Sequence, residues 1–179
     1  MASAKQDQDI VIQIVGNFET TDVSLSRLEE LAKTVCSRFA WPRTPQARYE
    51  VSIAIVDDAE IRQLNARFLN HKTTTDCLSF DLSDDVGTEI TNRKSRVFEL
   101  IVNGEMAVRQ AELRGHSNEA ELALYITHGL LHNLGFDDKN SDQARTMHET
   151  EDEILQQMGY GFVYNSNTRA RGHESSEDP

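Results

Sequence analysis

His128-Gly129-Leu130-Leu131-His132-Asn133-Leu134-Gly135-Phe136-Asp137-Asp138 is the stretch around which the rest of the chain is organised. On a helix, residues four apart lie one above the other on the same face, so the imidazoles of His128 and His132 converge on one point. Gly135 follows within a turn. Glycine tolerates the left-handed backbone that ends a helix, so the chain can turn there and bring Asp138 back toward the histidine pair. Two nitrogens and one carboxylate oxygen form a ligand set that leaves a coordination position open, which distinguishes a catalytic zinc site from a closed structural one. Either histidine alone is more simply read as packed or solvated, and Asp138 alone as a loop acid. The pair, the glycine and the timed return of the acid together point to a metal. His128, His132 and Asp138 are therefore the expected ligands of one Zn2+ per chain, with other divalent metals able to use the same donors.

The same spacing matches the longer metzincin-type pattern, but one element of the peptidase helix is missing. Zinc peptidases carry Glu directly after the first His, where it takes a proton from water. Here that position is Gly129. Proteolysis is disfavoured on that ground, and a metallohydrolase of peptides or small molecules is retained only as an alternative.

Working outward, a chain of 179 residues suits one domain with its own core, expected over residues 8–164, and nothing in it suggests a repeat. No apolar run approaches a bilayer span, and Met1-Ala2-Ser3-Ala4-Lys5-Gln6-Asp7 leads into no signal-peptide core, so a cytoplasmic protein with no membrane partner is expected. The two cysteines, Cys36 and Cys77, fall in a predicted helix and a predicted strand, without ligand spacing, and read as reduced core thiols. A net charge of −12 argues against a broadly basic nucleic-acid surface, so any such partner needs a local basic groove.

Ile10 to Val15 is rich in β-branched residues and reads as a first strand. Leu25, Leu28, Leu31, Val35 and Phe39 recur at helical spacing, and the helix must stop before Trp41-Pro42. Tyr49, Val51, Ile53 and Ile55 alternate with smaller or polar residues as a second strand. Asp57 or Asp58 caps a helix with Ile61, Leu64 and Phe68 on its apolar stripe, and Asp57 with Glu60 approximates a capping box. Cys77, Leu78, Phe80 and Leu82 suggest a third strand, the aperiodic run from Asp84 to Arg96 a loop, and Phe98 to Val102 a fourth strand. Asn103 caps a helix that Gly115 breaks, and Ser117 starts a central helix to about Leu134 carrying the histidines. Ser141 to Met158 forms a last helix, and Asn165 to Pro179 reads as a polar, disordered tail. His71, His116 and His173 have no partners at ligand spacing and read as surface residues. The expected fold is α/β (α+β): a small four-stranded mixed sheet covered by helices, of undetermined strand order.

Taken with Leu64-Asn65-Ala66-Arg67-Phe68-Leu69 and Thr75-Asp76-Cys77-Leu78-Ser79-Phe80, the histidine segment resembles the YbeY family of bacterial rRNA-processing metalloproteins over roughly residues 8 to 160. Phe98 to Val102 occupies the place of that family's acidic strand, and Met147 to Leu155 resembles its final helix. The resemblance implies a zinc-dependent, single-strand-specific endoribonuclease in 16S rRNA maturation, ribosome biogenesis and quality control, with rRNA and the small ribosomal subunit and its proteins as partners, and no DNA. His128 and His132 match the family's first two metal histidines, whereas its third falls on Asp138, a competent but anionic zinc ligand. Asp137 and His148 are weaker candidates for that place. A second departure is Leu69, which stands where the family usually has an arginine. Arg67 and Lys72 are the nearby cations that are candidates to stand in for it, and Thr75, Asp76 and Ser79 are candidates to line the cleft; all five have an ordinary reading as solvated or strand residues.

No side chain next to the histidines is an evident general base, so attack by water and attack by the RNA 2′-hydroxyl both stay open. A non-catalytic ribosome-assembly factor with a structural metal is the alternative favoured by Leu69, Asp138 and the acidic charge.

Overall fold

The computed structural model describes residues 9–16, 18, 22–39, 48–83 and 95–164. The expected tail from Asn165, most of the expected loop from Asp84, Trp41-Pro42 and His173 lie outside the described residues. The element order is β1 (Ile10–Gly16), α1 (Leu25–Phe39), β2 (Arg48–Val56), α2 (Asp58–Leu69), β3 (Cys77–Asp81), β4 (Ser95–Asn103), α3 (Gly104–Arg114), α4 (Asn118–Asn133) and α5 (Ser141–Gln157). The sheet is four-stranded and mixed, in the order β1-β2-β4-β3. β1 and β4 run parallel to β2, and β3 is an antiparallel edge strand with Cys77 opposite Val102 and Asp81 opposite Phe98. β4 begins at Ser95, so Ser95 and Arg96 pair with Arg48 and Tyr49 instead of belonging to the preceding loop. Their polarity hid a pairing that the neighbouring strand imposes.

Period-two alternation decides which face of the sheet is buried. Tyr49, Val51, Ile53 and Ile55 of β2 and Phe98, Leu100 and Val102 of β4 turn into a core shared with α1, α4 and α5. The opposite face carries a smaller cluster of Val56, Ile61, Leu78 and Ile101 under α2. Asp57 caps α2 by accepting from Glu60 N–H at 2.8 Å, Asn103 caps α3 through Met106 N–H at 2.9 Å, and Ser117 caps α4 through Ala120 N–H at 3.1 Å.

α4 is buried nearly all round, as expected of a helix that lies between layers instead of on a surface. It touches β3, β4, α1, α3 and α5. Gly129 allows the close approach to the sheet: a Cβ there would meet Leu100 Cδ2 at 3.0 Å and Cys77 Sγ at 3.3 Å. Burial pushes the Cys36 thiol up to about 12 and the Cys77 thiol well above its ordinary value, and both cysteines are free. Cys77 is only partly buried as a residue, its sulfur lying under α4.

Candidate metal centre

His128 and His132 project from the last turns of α4 onto one face, where their Nε2 atoms stand 3.1 Å apart with the rings edge to face. α4 ends at Asn133, and Gly135 then adopts φ 97°, a conformation that strains any side-chain-bearing residue. This turn carries the chain back so that the ligand atoms of His128, His132 and Asp138 all lie within 4.8 Å of one another. Among the described residues this is the only such group of three or more His, Cys, Asp or Glu side chains. Asp137, paired with Lys139 at 2.7 Å, is not in that group, and neither is His148, whose Nδ1 lies 2.9 Å from Glu151.

The donor set fits a zinc-like ion. Tetrahedral ligands at ordinary zinc–nitrogen lengths stand about 3.3 Å apart, close to the observed separation of the two Nε2 atoms. The tautomer of His128 is arranged for this as well. Its Nδ1–H donates to Glu151 Oε1 at 2.8 Å, which leaves the Nε2 lone pair turned toward His132. Burial disfavours the charged form of this imidazole, but the Glu151 hydrogen bond and the charges of Glu151, Asp76 and Asp138 outweigh it, and the His128 pKa is raised.

Glu151 is fully buried, and its second oxygen accepts from His148 Nδ1–H, so one carboxylate fixes two imidazoles. The His148 ring in turn stacks on Tyr164 at 3.6 Å. Sequence reasoning passed over Glu151. Its signal was there: with Met147, Ile154 and Leu155 it falls on the apolar stripe of α5, where an acid has to have a buried partner.

His128 and Asp138 open on a cleft of about 430 Å³ whose lining also includes Asp76, Arg114, Tyr125, His148 and Glu151. Of the five residues proposed from the sequence for substrate, only Asp76 lines it. Asp76 Oδ1 accepts from Cys77 N–H at 2.8 Å and from the Thr75 hydroxyl at 2.9 Å, so Thr75 braces Asp76. Ser79 pairs opposite Leu100 in the sheet. Arg67 and Lys72 are exposed, Arg67 with its guanidinium 5.5 Å over the Phe68 ring. Leu69 is half-exposed.

His116 is not the surface residue expected of it. Its side chain is largely buried, and Nε2 contacts Glu121, itself completely enclosed and also bound by Arg114 at 2.9 Å. Tertiary packing of α3 against α4 creates this cluster.

Comparison with known proteins follows the same lines. The family model described as Endoribonuclease YbeY matches residues 13–159. A protein of Caldicellulosiruptor bescii named Endoribonuclease YbeY is 34% identical over 120 residues, covering 64% of this chain and 76% of its own. One of the same name from a Synechococcus species is 32% identical over 145 residues, covering 79% and 87%. The solution structure of a Thermotoga maritima protein superimposes with a TM-score of 0.50 at 23% identity, over 94% of this chain and 98% of that one, and shares the fold. The family match spans β2, β3, β4 and the second half of β1, both histidines and Asp138, and this chain belongs to the Endoribonuclease YbeY family.

Proposed function

We propose that this protein is a metal-dependent endoribonuclease that cuts single-stranded RNA during 16S rRNA maturation in the cytoplasm, with His128, His132 and Asp138 holding one zinc ion. The observation that carries this reading is the convergence of those three ligand atoms within 4.8 Å, beside a cleft that His128 and Asp138 line, in a chain of this family. A divalent ion held there supplies positive charge to a phosphoryl group as negative charge builds on it. The protein's own residues do the rest. Glu151 holds the His128 tautomer and, through His148 and Tyr164, the wall of the cleft. Asp76, braced by Cys77 N–H, places a carboxylate on the same cleft. The small ribosomal subunit is the partner this reading implies. No helix among the described residues is long and apolar enough to cross a membrane.

The peptidase alternative loses its footing on Gly129. A side chain at that position points at Leu100 and Cys77 in the sheet, so the general base of the zinc peptidases has no place there. The test uses purified protein, wild type beside His132→Ala and Asp138→Ala, with metal content by elemental mass spectrometry, folding by circular dichroism and cleavage of a single-stranded RNA. About one zinc per chain and RNA cleavage, both lost in folded variants, is the expected result. Metal without cleavage would transfer the protein to the non-catalytic assembly-factor reading, and a wild type without metal would overturn the site.

A further inference from the structure

We infer that Arg114 is a substrate-positioning residue that binds a phosphate flanking the scissile one, supplying the cation that Leu69 does not. The inference rests on the endoribonuclease reading and adds a specific subsite to it. Among the described residues, Arg114 is the only Lys or Arg lining the cleft that contains His128 and Asp138. Around it the lining offers three carboxylates, those of Asp76, Asp138 and Glu151, in a chain whose net charge is −12. A polyanion entering such a cleft needs a fixed positive charge to offset those groups.

The geometry gives Arg114 that place and holds it there. Its guanidinium donates from Nη1 to Glu121 Oε1 at 2.9 Å, and the side chain keeps 31% of its surface exposed while Glu121 is fully buried. One hydrogen bond thus anchors the fork from behind, while its other nitrogens carry the remaining donors of a group suited to phosphate. Glu121 does not belong to Arg114 alone: its other oxygen contacts His116, so the carboxylate is shared between two basic groups. Glu121 and His128 are seven residues apart on α4, two turns along the same face with Tyr125 between them. The residue that anchors Arg114 is thus offset by about 10 Å along the helix axis from the first histidine, an offset that suits a neighbouring phosphate. The residue therefore acts on binding more than on the chemical step.

Arg114→Gln and Glu121→Gln distinguish this role from a structural one because they move RNA affinity in opposite directions. Binding of a fluorescent single-stranded oligoribonucleotide is followed by anisotropy in EDTA across a salt series, with thermal melts of each variant, and cleavage kinetics are measured with zinc present. Arg114→Gln is expected to weaken binding roughly tenfold, to flatten the log–log salt slope by about 0.7, and to raise KM with kcat little changed. Glu121→Gln, which leaves Arg114 unopposed, is expected to bind RNA as tightly as wild type or more tightly despite a lower melting temperature. If both variants lost affinity together, or if Arg114→Gln kept the wild-type affinity and salt slope, the assignment would be overturned. Should Arg114→Gln not fold, the double variant Arg114→Gln/Glu121→Gln removes both partners of the buried pair and must still show the flattened slope. Wild-type protein that neither binds nor cuts RNA would instead refute the endoribonuclease reading beneath it.

Discussion

Replacing Glu151 by Gln should weaken zinc binding without unfolding the protein, and the size of the loss follows from where the carboxylate sits. Both its oxygens are engaged, one by His128 Nδ1 at 2.8 Å and one by His148 Nδ1 at 2.9 Å, and no part of the side chain reaches solvent. Glutamine has the same shape. Its carbonyl still accepts from His128 Nδ1–H, and its amide donates to His148 once that ring presents a lone pair at Nδ1. What disappears is the negative charge that makes His128 a more basic ligand. Loss of such outer-sphere partners costs roughly 10- to 100-fold in metal affinity, or about 1.4 to 2.7 kcal/mol. Glu151→Ala is the harsher change, since it strands two buried ring nitrogens at about 1–3 kcal/mol each and opens a cavity. Competition against a chromophoric zinc chelator measures the affinity, and nitrogen-15 spectra of the imidazoles report the tautomers. Zinc affinity of Glu151→Gln within twofold of wild type, with the His128 tautomer unchanged, would refute the argument that this carboxylate tunes the site.

Other predictions rest on separate parts of the molecule. Gly129→Ala should lower stability by up to about 2 kcal/mol, because crowding Leu100 and Cys77 costs about 1–3 kcal/mol against roughly 1 kcal/mol gained in helix propensity; urea unfolding measures it, and a more stable variant would contradict the packing. Asp58 is held below the ordinary carboxylate range first by its hydrogen bond from Arg109 and then by that from Asn103, against a desolvation effect of opposite sign. Because its folded pKa is depressed, its contribution is full above the unfolded value of about 3.9 and is lost as pH falls through the folded one. The stability gap between wild type and Asp58→Asn should therefore be widest near neutrality and shrink in acid, as denaturant midpoints at several pH values will show. A chain ended after Tyr164 should melt like the full-length protein, consistent with a domain spanning 8–164. Ending it after Met158 removes the fully buried Val163 and the ring stacked on His148, and should cost at least about 1.5–3 kcal/mol by calorimetry.

The sequence by itself determined whatever is written in local spacing. His128 and His132 four apart, Gly135 ending the helix and Asp138 three residues on are a helix-and-turn arrangement that needs no distant partner, and the structure brings those three side chains together. Strand β2 was legible for the same reason, since period-two alternation marks a half-buried surface wherever it occurs. Strand order, the pairing of Ser95 and Arg96, the enclosure of His116 and the placement of Glu151 and Arg114 at the cleft were decided only by tertiary structure. His128 and Glu151 are 23 residues apart in the chain, whereas His116 and Arg114 meet Glu121 only five and seven residues away, but do so only once α3 packs on α4. A charged residue reads the same in sequence whether it faces water or a buried imidazole. Only the packing of α3 and α5 onto α4 settles which, because burial is what forces a polar group to find a partner.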